Sequence, residues 1–212
     1  MPKPKLVVFA SGTKDGGGSG FEKLVENMRA GVLDADIVAV VSNHEHGGVR
    51  ERADRLGIPF IYSPKGRTAE DYKKIVRETG AEFAALSGWL GLVDGLDPRT
   101  TFNIHPAILP SPFGGSGYYG HHLQEEVLKA YKRGEITHSG FSMHFVTPEY
   151  DKGAVFFRRK VPILQGDTPE TLFKRVNDME HKWQSIATNR VLHGEISWNG
   201  KNPETLVGAD LE

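Results

Sequence analysis

The 212-residue sequence predicts a doubly wound α/β fold, Rossmann-like, with a mostly parallel sheet, a late antiparallel hairpin and a long C-terminal helix. Three observations carry that expectation. Short apolar runs alternate with helix-patterned segments through the first hundred residues. A glycine-rich loop separates the first run from the first helix. Two long β-rich runs joined by a turn-rich connection then precede a single long helical stretch.

The elements follow in order. "KLVVFA", residues 5–10, is apolar on both faces, as a strand buried on both sides requires. The loop "SGTKDGGGSG" leads into a helix with Phe21, Leu24, Val25 and Met28 at helical spacing and Gly31 as its stop. "DIVAVVSN" is a second buried strand, and Val49, Ala53 and Leu56 mark a short helix ended by Gly57. "IPFIY" is a third strand, followed by a helix on Tyr72, Ile75 and Val76 that ends at Gly80. "EFAALSGW" and "TFNIHP" are the fourth and fifth strands.

The second half changes character. After the glycine-rich loop "SPFGGSGYYG", Leu123, Val127, Ala130 and Tyr131 define a helix ended by Gly134. "SGFSMHFVT" and "GAVFFRRKVPI" are long strands joined by "PEYDKG", which predicts a hairpin. The last helix has Asp167 as its cap, Pro169 in its first turn and Glu170 at capping-box spacing. Its core stripe is Leu172, Val176, Met179, Trp183 and Ile186, and the polar tail after Trp198 is expected to fray. The chain reads as one domain over 1–212: a phosphate-binding half at 1–100, a catalytic half at 101–195 and a polar tail at 196–212.

Composition narrows the function classes. A net charge of −1 gives no bulk attraction for nucleic acid or an anionic membrane. The absence of cysteine excludes disulfides, thiolate catalysis and cysteine zinc sites. The apolar run Leu6–Ala10 is too short for a signal-peptide core. A soluble cytoplasmic protein, monomeric or homodimeric, is the expectation.

The first loop sits where open α/β sheets bind anions, because free N–H groups and the helix dipole both favour negative charge there. A plain flexible loop competes with that reading, as does an ordinary capping box of Ser19 with Glu22. The dinucleotide fingerprint fails, since Phe21 follows Gly16 and Gly18 where a third glycine is needed. The Walker pattern fails too, with Gly18 at the lysine position after Gly12 and Gly17. A monophosphate held mostly by backbone fits better. "HEH" at His44–His46 lacks a third metal ligand at useful spacing and reads as a solvated loop. His121 and His122 are adjacent on a helix and point different ways.

Asn103 and His105 share one face of a strand end, where this fold class places its ligands. An imidazole shuttles protons near neutral pH, and an amide can donate to a developing oxyanion. The competing reading is a satisfied core histidine. Asp151, in the hairpin connection, is either a turn aspartate or the carboxylate that orients His105 and raises its pKa.

"NIHPAILP", then a glycine-containing loop and helix, then "HFVTPEYDKG" and a late "EH" on the last helix, resembles the folate-dependent glycinamide ribonucleotide formyltransferases of purine synthesis. The resemblance covers roughly residues 5–195. It implies that Asn103 stabilises the tetrahedral oxyanion, that His105 is the general acid/base and that Asp151 orients it. It also implies that Gly18, Ser19 and Gly20 contact the ribonucleotide phosphate and that Glu180 holds the sugar hydroxyls. Leu90, Gly91, Leu92 and Val93 would line the folate pocket beside Asn103, with Arg67 at the folate tail. The implied co-substrates are 10-formyltetrahydrofolate and 5'-phosphoribosylglycinamide, without a metal. Four features depart from the family: "TKDG" is inserted in the first loop, Gly20 stands for an Asn, Gly91 stands for a common Arg, and the loop at 112–122 is long. An amino-sugar formyltransferase, a formyl-folate hydrolase and a non-enzymatic nucleotide-binding regulator remain alternatives.

Overall fold

β-branched and aromatic runs become strands wherever both faces can be buried, and the computed structural model shows this along most of the chain. It describes every residue except Met1, Asp15, Ser116 and Tyr118, so parts of both glycine-rich loops lie outside the described residues. The first half contains β1 (Lys5–Phe9), β2 (Gly12–Thr13), β3 (Gly16–Gly17), α1 (Ser19–Arg29), β4 (Asp36–Ser42), α2 (Gly48–Leu56), β5 (Phe60–Tyr62), α3 (Ala69–Thr79) and β6 (Phe83–Ser87). The second contains β7 (Thr101–His105), α4 (Gly120–Lys132), β8 (His138–Phe145), β9 (Val155–Pro162), α5 (Pro169–Leu192), a 3-10 turn (Pro203–Thr205) and β10 (Asp210–Leu211).

Eight strands form one sheet in the order β10-β9-β8-β7-β6-β1-β4-β5. The five strands from β7 to β5 run parallel, and β8 and β9 are antiparallel additions. The chain leaves β1 toward β4 on one side and returns to β6 on the other. That reversal opens a crevice at the carboxyl ends of β1 and β6, where such sheets bind ligands. Alternation along β1 feeds both cores: Leu6 and Val8 pack with α1, α2, α4 and α5, while Val7 and Phe9 pack with Tyr72 and Ile75 of α3.

Four details differ from the sequence expectation. Gly18, not a side chain, caps α1, so Ser19 and Glu22 form no capping box; Glu22 instead binds Arg52 and Arg55. Thr168 caps α5 in a reciprocal pair with Thr171, and Asp167 instead takes a two-point ion pair from Arg175. The buried face of α5 is rotated toward Glu180 and Gln184, which leaves Ile186 40% exposed. Polar residues at the centre of a buried face are invisible to a hydrophobic-spacing argument. Finally, the tail does not fray: Asp210 accepts two bonds from Arg159 at 2.9 and 2.8 Å, and β10 pairs with β9. Gly12–Thr13 and Gly16–Gly17 pair as the small β2–β3 ladder, which packs backbone to backbone on the N-terminus of α2 at Gly47 and Gly48. No helix among the described residues is long and apolar enough to cross a membrane.

Candidate active site

The alternation of β7 sets up the site. Phe102 and Ile104 go to the large core, so Asn103 and His105 take the opposite face at the strand's carboxyl end. Antiparallel register with β8 places His144 directly across from Asn103. Their side chains meet, with Asn103 Nδ2 3.1 Å from His144 Nε2.

The connection from β8 to β9 supplies the carboxylate. A Cβ on Gly153 would lie 1.7 Å from the Phe145 carbonyl oxygen, so only glycine lets this segment fold flat over the end of β8. Asp151 just before it has φ 53°, the sole positive φ on a non-glycine residue among the described residues. Such backbone strain is retained where the surroundings fix it. Here Asp151 Oδ1 lies 3.2 Å from His144 Nε2, and Oδ2 lies 3.7 Å from His105 Nδ1 while accepting the Gly115 N–H at 2.8 Å.

Charge states follow from these contacts. Burial pushes the Asp151 carboxyl up, but the neighbouring His144, the charge on His105 and the Gly115 N–H outweigh it and hold it at about 2. Asp151 is therefore an anion at neutral pH. Burial lowers His105 below the usual histidine range, with Asp151 and the Phe113 carbonyl opposing. His105 Nε2 donates to the Phe113 carbonyl at 2.7 Å, which puts the neutral ring's proton there and leaves Nδ1 as the basic atom. His144 Nδ1 likewise donates to the Phe145 carbonyl at 2.8 Å. His144 opens the "HFVTPEYDKG" stretch that carries the resemblance, but its place in the cluster follows from its register opposite Asn103.

A cavity of about 770 Å³ opens beside this cluster. It brings together Gly18, Ser19, Gly20, Leu90, Gly91, Leu92, Val93, Asn103, His105, Asp151 and Glu180. Arg67 is not among its lining residues. The Arg67 guanidinium stacks 4.3 Å over Trp89 and donates to the Ser63 carbonyl at 2.7 Å and to the Tyr72 hydroxyl at 3.2 Å. It packs against Trp89 and beside Gly91.

Each end of the cavity has its own chemistry. At one end the first turn of α1 carries no side-chain cap, so its N–H groups suit an anion. Phe173, Asn177, Glu180, His181 and Gln184 line the cavity from one face of α5. Burial raises the Glu180 carboxyl to about 7 against the opposing Asn177 amide, which lies 3.2 Å away. At the other end Leu90 and Leu92 expose their side chains while their backbone is held in place. The Leu90 N–H bonds Ser11 Oγ at 3.0 Å, and the Leu92 carbonyl accepts from Tyr72 at 2.8 Å. His44, Glu45 and His46 are exposed in a bend, and His121 stacks on Phe173 at 4.7 Å. No group of three potential metal ligands occurs among the described residues.

Known proteins share this chain's sequence and fold. A phosphoribosylglycinamide formyltransferase of Arabidopsis thaliana is 35% identical over 207 residues, 92% of this chain and 68% of the relative. The Bacillus subtilis enzyme of the same name is 29% identical over 198 residues, covering 89% of this chain and 94% of the relative. The crystal structure of glycinamide ribonucleotide transformylase 1 from Symbiobacterium toebii superposes with a TM-score of 0.81 at 25% identity, over 98% of this chain and 95% of that one. The chain spans 63–68% of the plant relatives' length and 19% of the bovine trifunctional purine protein it also matches. The formyl transferase family model matches residues 4–188, and the chain belongs to that family.

Proposed function

We propose that this protein transfers the formyl group of 10-formyltetrahydrofolate to the primary amine of 5'-phosphoribosylglycinamide. The observation that carries the reading is the shared cavity: an uncapped helix N-terminus at one end, a buried Asn–His–Asp cluster in the middle, and an apolar wall at the other. The relatives named for this reaction support it. The wall at Leu90–Val93, stiffened by Trp89 and Tyr72, suits a flat reduced pterin. The α1 N-terminus suits a phosphate, and Glu180 suits ribose hydroxyls.

The folate substrate supplies an activated formyl carbon. The amine nitrogen attacks it, a C–N bond forms, and the carbonyl electron pair moves onto oxygen. The Asn103 amide donates to that oxyanion. The proton lost by the attacking nitrogen goes to His105 Nδ1, where Asp151 at 3.7 Å stabilises the resulting imidazolium. The bond to the folate nitrogen then breaks, and the departing electron pair takes up a proton from His105 directly or through water. The His144 ring packs against the other oxygen of Asp151, with Nε2 3.2 Å from Oδ1, and so limits where the carboxylate can turn while the charge on His105 changes.

The proposal includes small-molecule substrates only, a monomer or homodimer, and a cytoplasmic location, although the plant relatives are named chloroplastic. Formyl-folate turnover measured with and without the amine tests it. Formyl transfer that depends on 5'-phosphoribosylglycinamide is expected. Formate release without amine would make the protein a hydrolase, and transfer only to an amino sugar would move the substrate assignment.

A further inference from the structure

The segment that leaves β7 turns back over the sheet face that carries Asn103 and His105, and side chains of the neighbouring strands hold its backbone. Ser142 of β8 stands directly opposite His105, and Arg158 of β9 stands opposite Ser142, so the three form one row across the sheet. Ser142 is fully buried; its Oγ accepts the Leu109 N–H at 2.8 Å and donates to the Ala107 carbonyl at 2.8 Å. Arg158 Nη1 donates to the Leu109 carbonyl at 3.0 Å. Both backbone polar groups of Leu109 are therefore satisfied by side chains, one from each strand.

Leu109 in turn supports the backbone that touches His105 and Asp151. A Cβ on Gly114 would lie 2.8 Å from Leu109 Cδ2 and 3.4 Å from Asp151 Cβ, so Gly114 rests on the Leu109 side chain with Asp151 beside it. The groups on either side of Gly114 reach the reacting cluster. The Phe113 carbonyl accepts from His105 Nε2 at 2.7 Å, and the Gly115 N–H donates to Asp151 Oδ2 at 2.8 Å. The neutral His105 ring thus lies between two acceptors, the Phe113 carbonyl at Nε2 and the Asp151 carboxylate 3.7 Å from Nδ1. Its single proton can serve one of them. With the carbonyl in place the proton stays on Nε2, and Nδ1 is free to take another. If the carbonyl withdraws, the carboxylate draws the proton to Nδ1 and the base is blocked.

We infer that Ser142 and Arg158 are positioning residues: by fixing Leu109 they keep the Phe113 carbonyl against His105, and so keep the proton of the neutral ring off Nδ1. The inference rests on the proposed formyl transfer, in which His105 Nδ1 is the base, and extends it to two residues that do not line the cavity.

The test observes the ring itself. Proton–nitrogen correlation spectra at alkaline pH, assigned with His105→Gln, report which ring nitrogen of His105 holds the proton. Steady-state kinetics with 10-formyltetrahydrofolate and 5'-phosphoribosylglycinamide run alongside. Wild type is expected to show the Nε2–H form. Arg158→Met keeps the Ser142 bonds and alters a partly exposed side chain. It should raise the Nδ1–H fraction and lower kcat roughly tenfold, with both KM values within about twofold of wild type. Ser142→Ala frees two buried backbone groups and should act more strongly, with Tm measured to confirm that it folds. Leu109→Ala keeps all three hydrogen bonds and removes only the support under Gly114, so it should shift the proton in the same direction. A wild-type ring protonated on Nδ1 overturns the inference. So does an Arg158→Met protein with unchanged kcat, one whose kcat falls while the Nε2–H form is intact, or a Leu109→Ala ring no different from wild type. A protein that shows the Nε2–H form and its loss in the variants, yet does not formylate the amine, overturns the formyl transfer while the hold on His105 stands.

Discussion

The Asn–His–Asp middle of the cavity and its glycine-rich end are built by opposite means. In the middle, the polar groups are side chains placed by strand register: Asn103 and His105 two apart on β7, His144 opposite on β8, and Asp151 returned by a strained connection. At the glycine end the free polar groups are backbone N–H groups of α1, and the nearby side chains come from β6 and α5. Side-chain chemistry on a strand leaves a local mark in sequence. Backbone chemistry leaves only glycines, and the polar groups that complete it are scattered along the chain.

The largest effect should come from the middle. His105→Ala and Asn103→Ala should each lower kcat by roughly 10²–10⁴-fold while folate affinity changes little. Asp151→Asn keeps the shape and removes the charge that raises His105 against burial, so the His105 pKa falls further. If neutral His105 is the active form, the acid limb of the rate profile moves to lower pH. A profile that stays in place while kcat drops would remove the electrostatic role of Asp151. The double variant His105→Ala/Asp151→Asn should be far less harmful than the product of the two single effects, because the residues act as a unit.

Glu180 belongs to the other construction, and its effect should appear in stability. Its folded pKa of about 7 lies above the usual 4.5, so ionising it costs the folded state. The cost is absent below about pH 4.5, grows between 4.5 and 7, and is complete above 7, at roughly 3 kcal/mol. Glu180→Gln should therefore raise stability at pH 8 and leave it nearly unchanged at pH 4.5, while the amine KM rises by about tenfold. Denaturant unfolding at the two pH values reads the difference directly. Equal gains at both would show that burial of the charge is not what the carboxyl endures.

The same contrast explains what was legible in the sequence. The parallel sheet followed from β-branched runs alternating with helical spacing, and the i, i+2 pair on β7 was visible because strand geometry is local. The place of His144 was not visible, since it depends on the register between two strands about forty residues apart in sequence. The face of α5 toward the cavity was half read. Glu180 was found through its resemblance to the family, whereas Gln184 sits at the centre of a buried face where spacing arguments expect apolar residues. The polar tail was read as frayed because nothing local announces that Arg159 awaits Asp210. Arg67, which the resemblance puts at the folate tail, stacks on Trp89 and is not among the residues lining the cavity.

The smallest effect should come from the wall itself, where both modes of construction meet. Gly91 has no side chain, and Arg67 fills the space beside it: a Cβ there would lie 2.8 Å from Arg67 Nη1 and 3.1 Å from Trp89 Nε1. The clash is with the tip of a long side chain, which can swing at modest cost. It cannot swing freely, because Arg67 is bonded to Ser63 and Tyr72 and stacked on Trp89. Gly91→Ala should therefore cost stability by no more than about 1 kcal/mol and raise the folate KM a few-fold, with the amine KM and kcat unchanged. Arg67→Ala should produce the same pattern, by loosening Trp89 and the backbone of Leu90–Val93. Because the two act on one contact, the double variant should be little worse than the more harmful single. Additive losses would mean that Gly91 and Arg67 shape the folate wall independently, with Arg67 reaching the ligand by a route of its own.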